Sequence, residues 1–258
     1  MTADRRNTSE RSVLIIDLET VVAPPLPPPP KLHKGDSEPF PPIACHEVVV
    51  MGAALFDMHY RLRRIWIVGE GKGERDMLLA LVTFLNERLT KRAALTIVGF
   101  NSRGFDLPVI VARCLHHGLQ FPWYYSRREV RYRYSAEGHF DLMDFLTDFG
   151  ASRAYSLDLA AKLIGMPGKM GCEGADVATM VAAGQIEQVR AYCLRDVAQT
   201  AALFLRTQLL RGELAPAAYV AAMEALLAAL NREPRLAPML PRIDRKRLML
   251  TPDAGKAP

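Results

Sequence analysis

The sequence lacks any apolar run that approaches the roughly 18 residues needed to span a membrane. Its opening, MTADRRNTSE, lacks the apolar core of a secretory signal peptide. It has no internal repeats, and its 50% hydrophobic and 24% charged residues are ordinary for a globular domain. These absences argue against a membrane protein, a secreted protein and a repeat architecture. We therefore expect a cytoplasmic protein with one main domain.

Cysteine is also scarce, with four residues in the 258-residue chain. None of them shows the CxxC spacing of zinc sites and redox motifs, and all stand in apolar or mixed stretches. Free cysteine is among the most buried residue types. We therefore predict buried free thiols, rather than disulfides or a zinc site, at Cys45, Cys114, Cys172 and Cys193.

Proline is concentrated in one stretch, since nine of the 18 prolines fall within residues 24–42. That density excludes a helix or a central strand and predicts an exposed loop, partly in the polyproline II conformation. A spacer is the favoured role, and recognition by a partner domain is the alternative. We predict a disordered leader at residues 1–11, one folded domain at 12–230 and a flexible basic tail at 231–258.

Hydrophobic periodicity predicts the secondary structure of the folded domain. Strands are predicted at residues 12–19, 47–56, 62–68 and 95–100. Helices are predicted at 74–89, 107–117, 156–164, 186–211 and 216–230, and a short strand that turns into a helix at 140–149. The second and third strands should form an antiparallel hairpin. This order predicts an α/β fold in which a mixed sheet is flanked by helices.

Two carboxylates end the first predicted strand, whose sequence is SVLIIDLE. Residues i and i+2 of a strand point to the same face, so Asp17 and Glu19 lie side by side. Adjacent carboxylates repel each other unless a cation joins them, and hard oxygen ligands suit Mg²⁺ or Mn²⁺. The pattern is weak on its own, and a solvated strand end is the alternative.

A third carboxylate follows the fourth predicted strand, in the sequence NSRGFD. Asp106 would begin a helix there, where a carboxylate also suits the helix dipole. It is therefore either a site residue or an ordinary helix N-terminal residue. Phe105 would pack into the core or contact a substrate, and Asn101 would hydrogen-bond the loop or touch a substrate.

Tyr192 and Asp196 lie four residues apart on the long predicted helix and so share one face. Their neighbours on the helix are largely apolar, so the acidic side chain would be partly buried and would need a cation or a hydrogen-bond donor. The alternative is a tyrosine at the core boundary with the aspartate in water.

Taken together, these residues resemble the DEDD superfamily of 3′–5′ exonucleases, in the variant with a tyrosine in the third motif. The chain is most similar to the predicted exonucleases related to the proofreading domain of family B DNA polymerases. The resemblance covers roughly residues 12–211 and includes the turn Pro167, Gly168, Lys169. It implies a ribonuclease H-like fold and hydrolysis that depends on two divalent cations, Mg²⁺ or Mn²⁺.

The resemblance also implies roles for the individual residues. Asp17, Glu19 and Asp196 would bind the two metal ions, with Asp17 bridging them and Asp106 assisting through water. Tyr192 would orient the attacking water. Because a phenol with a reference pKa near 10 is a poor general base at pH 7, activation of that water would fall mainly to the metal.

A second group of residues suggests contact with nucleic acid. Residues 123–134, WYYSRREVRYRY, interleave five aromatic residues with four arginines, a combination suited to stacking on bases and pairing with phosphates. An edge hairpin with a solvated face is an equal alternative. We predict that Arg127 and Arg131 bind substrate, and Lys169 in its glycine-rich turn is a further candidate. A net charge of +5 favours a polyanionic partner.

The histidine and aspartates of GHFDLMDF, at His139, Asp141 and Asp144, could extend the site, but a structural or substrate-side role is favoured. The predicted function is 3′–5′ hydrolysis of single-stranded DNA that releases nucleoside 5′-monophosphates. RNA is the alternative substrate, because nothing in the sequence identifies a reader of the 2′-hydroxyl. A catalytically weak nucleic-acid-binding module and a metal phosphatase acting on free nucleotides are the alternatives from other classes.

Overall fold

The computed structural model describes residues 11–23, 40–91, 93–171 and 174–250. Within them a five-stranded mixed sheet has the strand order β3-β2-β1-β4-β5. The strands are β1 (Ser12–Val22), β2 (His46–Asp57), β3 (Leu62–Ile67), β4 (Leu95–Gly99) and β5 (His139–Asp141). β1 pairs antiparallel with β2 and parallel with β4, and β5 pairs parallel with β4. The predicted hairpin is confirmed as β2 and β3.

Helices cover both faces of the sheet. They are α1 (Glu74–Thr90), α2 (Asp106–His116), α3 (Pro122–Ser126), α4 (Arg128–Arg131), α5 (Leu142–Leu146), α6 (Leu157–Leu163), α7 (Val177–Ala182), α8 (Ile186–Leu210), α9 (Pro216–Arg232) and α10 (Arg245–Met249). Short 3₁₀ turns form at Ile43–Cys45, Gly174–Asp176 and Ala237–Arg242. The predicted mixed sheet flanked by helices is therefore confirmed.

Strand β1 separates two hydrophobic clusters, which explains its continuous apolar sequence. Val13 and Ile15 belong to the cluster that includes the buried side of α8. Leu14 and Ile16 point the other way, into the cluster formed with α1 and α2. A strand covered on both faces needs apolar residues at consecutive positions rather than at alternate ones. The same geometry determines which helix the carboxylates at the end of β1 can meet.

The prediction of a loose tail from residue 231 is wrong for the described residues up to 250. Leu236, Met239, Ile243 and Leu248 are buried against the α8–α9 side of the core. The segment is also held by backbone hydrogen bonds, since the Asp244 amide donates to the Gly165 carbonyl at 2.9 Å. Burial of these single, spaced apolar residues outweighs the proline- and arginine-rich composition on which the prediction rested.

The edge hairpin considered for residues 123–134 is also wrong, because the segment forms the short helices α3 and α4. Trp123 and Val130 are fully buried and anchor these helices to the cluster that contains α1 and α2. Cys45, Cys114 and Cys193 are buried free thiols, as predicted. No helix among the described residues is long and apolar enough to cross a membrane.

Several predictions concern residues outside the described ranges. They are the leader at residues 1–10, most of the proline-rich loop at 24–39, Cys172, and the last part of the tail at 251–258.

Candidate functional site

The carboxylates of β1 lie on the face of the strand that meets α8. Asp17 and Glu19 continue the alternation of Val13 and Ile15, whose side chains pack against that helix. Directly after Glu19 the pairing with β2 shifts register, which marks a β-bulge at the end of the carboxylate pair. Bulges re-aim side chains at the ends of strands. The local structure therefore directs both carboxylates toward α8.

Asp106 reaches the same place from the opposite side of β1. It is the first residue of α2, and its Oδ1 accepts a hydrogen bond from the Leu18 amide at 3.1 Å. Leu18 stands between the two β1 carboxylates in the sequence, so this bond joins the start of α2 to the end of β1. Asp106 thus acts as more than a helix N-terminal residue, although its position there also suits the dipole.

Helix α8 places Tyr192 and Asp196 over the sheet, and it packs very close to strand β2. Gly52 of β2 pairs with Asp17, and a Cβ atom placed on it would lie 2.7 Å from Val197 Cγ2 and 2.9 Å from Cys193 Sγ. Only a residue without a side chain permits this approach. The Cys193 thiol in turn donates to the Asp17 carbonyl at 3.4 Å.

Most of the predicted site residues line one cavity of about 890 Å³. Its lining includes Asp17, Glu19, Asn101, Phe105, Asp106, Tyr192 and Asp196. The other predicted substrate-binding residues do not line it. Lys169 is exposed nearby, and its charge offsets part of the rise that burial causes in the pKa of Asp196. Arg127 and Arg131 lie outside the cavity, and Arg127 is held by Glu129 through an Nε–Oε1 hydrogen bond of 2.9 Å.

Burial and mutual repulsion make these carboxylates hard to ionise. Burial, followed by the charges of Glu19, Asp196 and Asp106, raises the pKa of Asp17 well above its usual value. Burial and the charges of Asp196 and Asp106 raise the pKa of Glu19 in the same way. Burial raises the pKa of Asp106 to about 7 and that of Asp196 to about 6. Such a cluster is stabilised when a cation neutralises it.

Two further details indicate which atoms could hold a cation. Asp17 Oδ2 is buried and has no hydrogen-bond partner among the described residues. The ligand atoms of Asp17, Glu19 and Cys193 lie within 4.8 Å of one another. Burial raises the pKa of the Cys193 thiol well above its usual value, so it remains protonated and donates a hydrogen bond. The carboxylate oxygens are therefore the available ligands, and they suit a hard divalent cation.

The loop that carries Asn101 and Asp106 is held by Asp141. Asp141 Oδ1 accepts from the Asn101 amide at 3.0 Å, and Oδ2 accepts from the Arg103 amide at 2.7 Å. Oδ1 also accepts from the amides of Met143 and Asp144 at the start of α5. Asn101 has a positive φ of 61°, a conformation that needs such support. Asp141 is thus a structural residue of the site, in agreement with the favoured sequence interpretation.

Two residues of the cavity were missed by sequence reasoning. Phe40 and His46 stack with ring centroids 5.2 Å apart, and His46 meets Phe105 edge-on at 5.1 Å. Phe40 is 70% exposed at the wall of the cavity. The only available signal was an aromatic residue within a proline-rich stretch, which did not indicate where the chain returns to the sheet.

His139 beneath the same loop allows a prediction about pH. It is fully buried, its Nε2 lies 2.9 Å from Ser102 Oγ, and burial with the nearby Arg103 charge lowers its pKa to about 3. In the unfolded chain this histidine is protonated below about pH 6.5, whereas in the folded chain it stays neutral down to about pH 3. This contribution to stability is complete above about pH 6.5 and falls by about 1.4 kcal/mol per pH unit below it.

The measurement is urea unfolding at pH 7, 6 and 5. The carboxylates with raised pKa values act in the opposite direction, so the difference between His139→Gln and the wild type isolates this histidine. We expect the substitution to lower the number of protons that the chain takes up on unfolding by about one, as read from the slope of the unfolding free energy against pH. The exposed His116 provides the matched control, His116→Gln. Equal pH dependence of wild type and His139→Gln would contradict the prediction.

Comparison with known proteins shows both the family and the fold. A family model described as a predicted 3′–5′ exonuclease related to the exonuclease domain of PolB matches residues 38–242. The family B DNA polymerase of the hyperthermophilic archaeon Pyrobaculum calidifontis has 19% sequence identity and a TM-score of 0.52, over 90% of this chain and 28% of that one. E. coli exonuclease I in complex with a dA16 oligonucleotide has 13% identity and a TM-score of 0.37, over 74% of this chain and 43% of that one.

No curated protein matches the chain. The chain spans less than half the length of the two solved proteins. The likeness to the polymerase shows the fold alone, and it confirms the predicted ribonuclease H-like α/β class. The family match covers most of the chain, so the protein belongs to the predicted 3′–5′ exonucleases related to the exonuclease domain of PolB.

Proposed function

We propose that the protein is a 3′–5′ exonuclease that uses two divalent cations to hydrolyse single-stranded DNA, releasing nucleoside 5′-monophosphates. The observation that carries the proposal is the convergence of four carboxylates from β1, α2 and α8 in one cavity. Their pKa values are raised by burial and, for Asp17 and Glu19, by the charges of the neighbouring carboxylates. Folding brings these repelling groups together at a cost in stability, which is expected of a site that serves a reaction.

The residues present fit a pair of Mg²⁺ or Mn²⁺ ions. Asp17, with its unpartnered Oδ2, and Glu19 offer oxygens close together, and Asp196 faces them from α8. Asp106 is already engaged by the Leu18 amide through one oxygen, which suits an assisting role through water. When bound, such ions supply hydroxide near neutral pH and stabilise the charge that develops on the transferred phosphate.

The remaining side chains would position the substrate. Tyr192 hydrogen-bonds the Asp196 carboxylate and lines the cavity, so its hydroxyl can hold a water molecule beside the carboxylates. The exposed ring of Phe40, backed by His46 and Phe105, offers a flat surface to the terminal base. Asn101 lines the same cavity, and its side-chain amide could hydrogen-bond a sugar or base.

The test is degradation of 5′-labelled single-stranded DNA and RNA of equal sequence with Mg²⁺, Mn²⁺ or EDTA. Wild-type protein should produce a ladder that shortens from the 3′ end with metal and none with EDTA. Asp196→Ala should abolish it, whereas Asp76→Ala, an exposed aspartate on α1, should leave it unchanged.

The rates at which the DNA and the RNA are degraded identify the substrate class. Faster degradation of DNA supports the proposed substrate, and faster degradation of RNA would replace it with an exoribonuclease acting by the same chemistry. Wild-type protein that binds both strands but cleaves neither would overturn the enzyme in favour of a binding module. Hydrolysis of free mononucleotides without dependence on chain length would indicate a phosphatase.

A further inference from the structure

We propose that α3, α4 and the residues that follow them form a second binding surface, which holds single-stranded nucleic acid outside the carboxylate cavity. We call it the tyrosine–arginine surface, and it consists of Tyr125, Arg128, Arg131, Tyr132 and Tyr134. The inference deepens the proposed function, because a strand held here would present its end to the cavity. It rests on separate residues, and binding can be measured without cleavage.

The exposed aromatic side chains of the described residues are concentrated here. Tyr125, Tyr132 and Tyr134 are 56%, 50% and 60% exposed, and the one other large aromatic residue exposed to this degree in the described ranges is Phe40 in the cavity. Tyr132 and Tyr134 contact each other edge-on with ring centroids 5.7 Å apart. Exposed aromatic rings are a cost in water unless a partner covers them, and every nucleobase has a face that can stack on them.

Two arginines of the surface keep their charge available. Arg128 Cζ lies 5.7 Å from the centroid of Tyr132, and Arg131 Cζ lies 5.4 Å from that of Tyr125. No carboxylate among the described residues is within salt-bridge distance of either one. By contrast, Arg127 is paired with Glu129, and Arg133 is paired with Asp144. Arg128 and Arg131 are therefore the cations that can meet phosphates while the tyrosines stack on bases.

Buried side chains anchor the surface to the core, which favours binding because little order has to be gained. Fully buried Trp123 and Val130 anchor α3 and α4 from below. Gly138 fits against Val130 so closely that an added Cβ would lie 2.9 Å from the Val130 amide nitrogen. The Arg133–Asp144 ion pair joins the end of the segment to α5. Two of the three exposed tyrosines, Tyr125 and Tyr132, line a groove of about 440 Å³ together with Arg128 and Arg131.

Arg103 connects this surface to the carboxylate cavity. Its backbone belongs to the loop whose neighbours Asn101, Gly104 and Phe105 line the cavity. Its guanidinium donates to the Arg131 carbonyl and to the His139 carbonyl, each at 3.4 Å. The loop at the cavity and the last residue of α4 are thus in direct contact. A single strand that leaves the cavity beside this loop would meet the tyrosine–arginine surface next.

The experiment measures fluorescence anisotropy of a labelled oligothymidylate of about 20 nucleotides, longer than the roughly 4–16 nucleotides typical of single-strand sites with aromatic platforms. EDTA is present throughout to prevent cleavage, so the measurement reports binding of the intact probe alone. The wild type should bind, and Tyr132→Ala should weaken binding about fivefold or more, as expected when one base no longer stacks on a ring. Tyr132→Phe keeps the ring and should bind like the wild type.

Charge is tested separately through the salt dependence of binding. The double variant Arg128→Ala, Arg131→Ala should bind more weakly and reduce the slope of log K against log salt by about 1.4, or about 0.7 for each phosphate that no longer pairs with an arginine. The matched control is Arg64→Ala on β3, at the far edge of the sheet, since Arg64 also lies over an aromatic ring, 4.7 Å from the centroid of Trp66. It should leave the slope and the affinity unchanged.

Competitors identify the ligand class. Unlabelled single-stranded DNA or RNA should displace the probe. The stronger competitor shows whether the surface prefers deoxyribose or ribose. Polyglutamate or duplex DNA that competes equally well would show a merely electrostatic surface and overturn the inference. So would unchanged binding by Tyr132→Ala, an equal loss of affinity in Arg64→Ala, or no binding by the wild type. A wild type that binds in this way but never cleaves would refute the proposed exonuclease and leave the surface standing.

Discussion

Replacing Asp17 with Asn is expected to lower phosphodiester hydrolysis by at least about 10³-fold, equivalent to about 4 kcal/mol of transition-state stabilisation. The same substitution should raise the stability of the protein in EDTA. The cause of both effects is one carboxylate, whose Oδ2 is buried without a partner among the described residues and which is repelled by Glu19, Asp196 and Asp106. Because its pKa is raised in the folded protein, its charged form destabilises the fold at neutral pH, and the neutral amide removes that cost.

The measurement pairs hydrolysis in Mn²⁺ with thermal unfolding in EDTA. The Asn variant should unfold about 2 °C or more above the wild type, the shift expected for roughly 1 kcal/mol in a protein of this size. Added Mn²⁺ should stabilise the wild type more than the variant, because only the folded protein binds the ion. Asp76→Asn at the exposed start of α1 should change neither quantity. Full activity, or a lower unfolding temperature in EDTA, would contradict the prediction.

The carboxylate cluster was accessible from the sequence because local structure alone determines much of its geometry. Alternation along a strand places Asp17 and Glu19 on one face, and the period of a helix places Tyr192 and Asp196 on another. The strand predicted at residues 12–19 is confirmed as β1, and its continuous apolar run is typical of a strand covered on both faces. What the sequence could not supply was the contact between Leu18 and Asp106, which joins residues 88 positions apart.

The errors concern segments whose structure depends on distant partners. Leu248 in the supposed tail is buried because α8 and α9 reach it, through hydrogen bonds from Arg206 and Tyr219 to its carbonyl. Residues 123–134 were interpreted by the alternation of charges and rings, whereas burial of Trp123 and Val130 decides their helical form. Composition describes what a segment can expose, and tertiary contacts decide what it buries.

The approach of α8 to the sheet leads to the last prediction, that Gly52→Ala lowers hydrolysis about 10²-fold through a displacement of about 1 Å. A methyl group at this position would lie 2.7 Å from Val197 Cγ2, so we expect α8 to move away from the sheet and to take Tyr192 and Asp196 with it. Such overpacking also costs about 1–3 kcal/mol of stability.

Rescue distinguishes a displaced helix from a damaged fold. Val197→Ala removes the closest obstructing methyl group, so Gly52→Ala combined with Val197→Ala should recover activity relative to Gly52→Ala alone. Gly73→Ala, where an added Cβ meets no atom within 4 Å, is the matched control and should retain full activity. Full hydrolysis by Gly52→Ala would show that the carboxylates tolerate a shift of α8. A double variant no more active than Gly52→Ala would show that the clash with Val197 is not what displaces the helix.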